Sequence, residues 1–76
     1  MMNPATVIKE YERRAEEVIG LFLSHSIGYP ECIAALDEAF LAIVTKVTGK
    51  DLLDLTAMTV ANHETVMREM SLRSMM

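Results

Sequence analysis

Apolar residues recur along this chain at helical spacing in three separate runs. In the first, Val7, Ile8, Tyr11, Ala15, Val18, Ile19 and Phe22 fall in one arc at about 100° per residue. The opposite side of its first half is charged, with Lys9, Glu10, Glu12, Arg13, Glu16 and Glu17, and reads as a solvated face. In the second run, Ile33, Leu36, Phe40, Ile43 and Val47 form a stripe flanked by Cys32 and Val44. Ala35, Ala39 and Ala42 make a second side on which another helix can approach closely. In the third, Leu52, Leu55, Val66, Met67 and Met70 form the arc, with Leu53 and Val60 at its margin.

Turn signals separate the runs. Asn3 is a preferred N-cap, and Pro4 suits a first helical position. Gly28 is expected to end the first helix as a left-handed residue, with Pro30 opening the second. Gly49 is expected to close the second helix, and Asp51 and Asp54 to favour the first turn of the third. The pattern therefore predicts an all-α, up-down-up three-helix bundle over residues 4–27, 30–48 and 51–72. Connections this short make sequential helices antiparallel neighbours. Residues 1–76 read as a single helical domain.

Two features bear on stability. At 76 residues the core is small, and below roughly 80 residues such a core supplies only a few kcal/mol. With Cys32 as the one cysteine, no internal disulfide can add to it, and a lone thiol suits a reducing, cytoplasmic setting. The second half of the first helix is also apolar nearly all round, from Val18 to Leu23. A helix of that kind seeks burial on every side. Gly20, Leu23 and Ile27, with Leu41 off both sides of the second helix, form a surplus that three helices leave uncovered. The expectation is that dimerisation completes the fold, with these four residues as interface.

Charge narrows the function. The net charge of −4 is spread over the three segments as about −1, −2 and −1. No segment carries the basic footprint that nucleic acid requires. The longest apolar runs, VIGLFL and AFLAIV, are too short to span a bilayer. The N-terminus lacks the basic and apolar regions of a signal peptide.

His25, Cys32 and His63 are the candidates for chemistry. None has a zinc-ligand spacing, and by helical rise His63 lies about 10 Å from the turn where His25 and Cys32 gather. No metal or cofactor is expected. Cys32 near a helix N-terminus suggests a nucleophile, but no third orienting group or glycine-rich oxyanion loop accompanies it. Cys32 reads better as a small buried apolar residue, and the chain as no enzyme. Its expected function is that of a small helical interaction or regulatory protein, a homodimer that binds another protein. The alternative is a bundle that holds a small ligand or metal in a polar gap formed by Thr56, Thr59, His63 and His25.

Overall fold

The computed structural model describes residues 3–75 and shows an all-α three-helix bundle, without strands among the described residues. Helix α1 spans Pro4–Leu23, α2 spans Tyr29–Ile43 and α3 spans Gly49–Ser74, with a single 3-10 turn, Val44–Lys46, extending α2. Asn3 caps α1 as its type predicts: its side-chain oxygen accepts from the Ala5 N–H at 2.9 Å.

The first bend differs from expectation. α1 ends at Leu23, four residues before the expected limit. His25, not Gly28, takes the left-handed position, with φ 64°. The Ser26 N–H then donates to the Leu21 carbonyl at 2.8 Å, the six-to-one bond of a Schellman closure. The Ser24 hydroxyl donates to the same carbonyl at 3.0 Å. These local bonds satisfy the open carbonyl groups early, so the helix stops before Gly28. Gly28 instead stands at the head of α2 with φ −85° and ψ 177°. The Glu31 carboxylate folds back so closely there that a Cβ on Gly28 would meet it at 2.6 Å. An acid over a helix N-terminus is favourably placed against the helix dipole.

Gly49 likewise opens α3 rather than closing α2. Its φ of 58° is a backbone state that suits glycine. The helix starts two residues before the expected Asp51.

All three helix pairs touch. The core is built from Val7, Tyr11, Ala15 and Phe22 on α1, Cys32, Leu36, Ala39 and Ile43 on α2, Val47 after it, and Leu55 and Val66 on α3. Phe22, Leu36 and Leu55 are fully enclosed, and each contributes about 1.5–3 kcal/mol by burial. Ile8, Val18, Ile19, Ile27, Ile33 and Phe40 pack around this centre while partly exposed.

Polar bonds join α1 to α3. The Tyr11 hydroxyl accepts from Thr59 Oγ1 at 2.9 Å and from Asn62 Nδ2 at 3.0 Å. Eleven residues further along α1, Arg73 donates to the Phe22 carbonyl at 3.0 Å, and its guanidinium lies 4.3 Å from the Phe22 ring centroid. Glu69 holds the same guanidinium at 3.5 Å.

The protein measures 46 × 20 × 15 Å and exposes 5234 Å².

Candidate interaction surfaces

The four residues expected to form one interface fall into two places. Gly20 and Leu23 are exposed at the end of α1, and Ile27 is partly buried against the core beside them. Leu41 is 66% exposed. However, it lies twelve residues into α2, about 18 Å from the α1–α2 bend. Leu23 has different company. The α1–α3 bonds set these parallel helices with residue 22 level with residue 73, so Leu23 is level with Ser74, and exposed Leu72 lies about 3 Å short of it along the axis.

Leu41 belongs to a second surface, on the outer side of α2 and α3. Its centre is the approach of His63 Nε2 to Asp37 Oδ1, at 2.9 Å. That nitrogen is closed off from solvent and has no hydrogen-bond partner, so the contact has ion-pair distance but not hydrogen-bond direction. α2 and α3 run antiparallel. One turn to one side of the pair come Leu41 from α2 and Val60 from α3, and one turn to the other come Ala34 and Met67. Leu53 continues the α3 row a further two turns beyond Val60. Leu53, Val60 and Met67 are 71%, 50% and 54% exposed. Their spacing of seven turns them by only about 20° per step, so they form one stripe.

Periodicity places Met67 in the core arc, and Leu53 and Val60 at its margin; in the structure all three stand outside. α3 packs into a groove between only two helices. The buried sector is therefore narrow, centred on Leu55, Thr59 and Val66. The heptad recurrence of Leu53, Val60 and Met67 was the signal that could have separated this stripe from the core.

The residues of the expected polar gap do not converge. Thr59 is buried with its hydroxyl on Tyr11. Thr56 is exposed and donates to the Leu52 carbonyl at 2.8 Å. His63 faces Asp37. His25 is exposed in the first bend, ten residues of helical rise from the level of His63. No group of three or more His, Cys, Asp or Glu side chains among the described residues is placed to hold a metal ion. Cys32 is fully enclosed, and burial pushes its thiol pKa up, away from the thiolate a nucleophile needs.

A groove of about 380 Å³ lies between α1 and α3, lined by Glu12, Glu16, Ile19 and Met58, and two more lie elsewhere. One, of about 390 Å³, lies between α1 and α2, where Arg13, Arg14 and Lys46 rim a floor of Ala39, Ala42 and Ile43. The other, of about 420 Å³, lies where α2 begins and α3 ends, and is lined by Tyr29, Met67, Met70 and Met75. No helix among the described residues is long and apolar enough to cross a membrane.

No protein-family model, curated protein or solved structure matches the chain.

Proposed function

We propose that this chain is a non-enzymatic interaction module that works as a homodimer and binds another protein. The observation that carries the reading is the set of half-exposed apolar side chains at the end of α1, Leu21 and Leu23, which the other two helices leave uncovered. Isolated exposed leucines are ordinary. Here they adjoin Gly20, which has open space around its Cα. A second copy applied by two-fold symmetry would cover the same residues on both partners.

Sedimentation at micromolar concentration tests this. The wild type is expected as a dimer, and Leu23→Glu is expected to weaken association on the order of a hundredfold, by losing apolar burial and adding a charge to desolvate. A wild type that sediments as a stable monomer overturns the reading.

A further inference from the structure

Charge is unevenly distributed around the bundle. Arg13, Arg14 and Lys46 gather on the α1–α2 groove, with Glu10 among them 3.6 Å from Arg13. The apolar surface on the other side, formed by Leu41, Leu53, Val60 and Met67, is bordered by acids. Glu38 lies between Ala34 and Leu41 on α2, one helical turn from each, and Glu64 lies likewise between Val60 and Met67 on α3. Asp37 lies on the floor beside His63, half exposed. The nearest cations on α3, Lys50 and Arg68, stand about 80° round the helix from the stripe, against about 40° for Glu64. The surface is thus an apolar strip about 21 Å long, with Glu38, Glu64 and Asp37 bordering its middle, Lys50 one turn from Leu53 at one end and Arg68 one turn beyond Glu64.

We infer that this α2–α3 surface is a docking site for a basic amphipathic helix of another protein. The inference rests on reading the chain as an interaction module, but it uses a different surface from the proposed self-association. The shape and charge choose this occupant. From Met67 to Val60 two antiparallel helices flank the strip, which α3 carries on alone to Leu53, and along it a helix can lay leucine-type anchors at i, i+3, i+4 and i+7. Lysines or arginines beside those anchors would meet Glu38 and Glu64, and Asp37 beneath them. A second copy in the same trough would set Asp37, Glu38 and Glu64 against their own likenesses, and like charges brought together oppose docking. Met67 and Met70 at the wider end supply flexible side chains that adapt to a partner's shape.

The test uses the full chain and two synthetic amphipathic helices of about 18 residues. They share one leucine stripe, flanked by lysines in one and by glutamates in the other. Titration calorimetry is expected to show binding of the lysine peptide and at least roughly tenfold weaker binding of the glutamate peptide, the scale of two or three exposed charge pairs. Amide shift mapping is expected to move Leu41, Leu53, Val60 and Met67. The variant Glu38→Lys/Glu64→Lys, which alters only exposed positions, is expected to reverse the preference. Leu53→Ser/Val60→Ser is expected to abolish binding while leaving the sedimentation of the free protein unchanged. The inference is overturned if neither peptide binds, if the preference survives charge reversal, or if the shifts map to the end of α1. It also falls if Leu53→Ser/Val60→Ser changes the oligomeric state, because the occupant is then a second copy. A dimer that fails these peptide tests leaves the self-association standing, whereas a monomer that passes them removes only self-association.

Discussion

Tyr11→Phe tests whether α1 and α3 are held by polar bonds or by packing alone. The ring is 1% exposed and would remain in place. Only the hydroxyl is lost, and with it the acceptor for Thr59 at 2.9 Å and Asn62 at 3.0 Å. Each such bond contributes about 1 kcal/mol net, and a buried donor left without a partner costs about 1–3 kcal/mol. Asn62 is half-buried and can turn its amide to water, and Thr59 can turn its hydroxyl to the carbonyl four residues back, as Thr56 and Thr65 do. The expected loss is therefore about 1–2 kcal/mol, for two bonds of about 1 kcal/mol or less each. In a domain of this size that is a fall in Tm of roughly 4–16 °C. Thr59→Val removes one of the two bonds, so Tyr11→Phe should cost about 0.5–1 kcal/mol less in that background. Urea unfolding followed by circular dichroism, at one fixed protein concentration, measures all four proteins of the cycle. Additive effects, or a Tyr11→Phe loss under about 0.5 kcal/mol, would refute the argument.

The other predictions concern the first bend and the thiol. His25→Gly should stabilise by about 0.5–1 kcal/mol, because a non-glycine residue at φ 64° carries a steric cost; thermal unfolding with no rise in Tm would show that the histidine ring stabilises the bend by some other route. Cys32 should resist iodoacetamide until the protein unfolds, so its alkylation rate should rise with urea in step with the loss of helical signal; fast labelling of the native protein would contradict its enclosure. Because the folded-state thiol pKa is raised, the neutral form is favoured in the fold. Its contribution is fully present below the unfolded pKa of about 8.5 and is lost as pH climbs beyond it. Cys32→Ala should flatten that alkaline decline.

The apolar rhythm made the three helices and most of the core legible. Val7, Tyr11, Ala15 and Phe22 on α1, and Leu36 and Ile43 on α2, are buried where their spacing puts them. The end of α1 was not legible, because a glycine was available at 28 and a histidine is an unusual choice for a left-handed residue. The bonds that Leu21 accepts from Ser24 and Ser26 decided the matter locally. The polar centre of α3 was legible as Thr59 amid apolar neighbours, but its explanation lay 48 residues away in Tyr11. Periodicity places a hydroxyl on a face without saying what faces it. The same limit applies to the interaction surfaces. Surplus apolar residues could be counted, yet Leu23 and Leu41 were joined in one patch because the sequence does not show how far apart the antiparallel run of α2 carries them.

Two hairpin-connected helices leave a third free to lie across either of their two open sides, and the arrangements so produced are of opposite hand. Oily side chains that fit one would come close to fitting the other. The Tyr11–Thr59–Asn62 cluster demands particular partners at particular angles, so a mirror-image layout would break it. The hand of the bundle is therefore favoured by three polar side chains, and sequences that keep the grease but erase them would be expected to populate the other hand more.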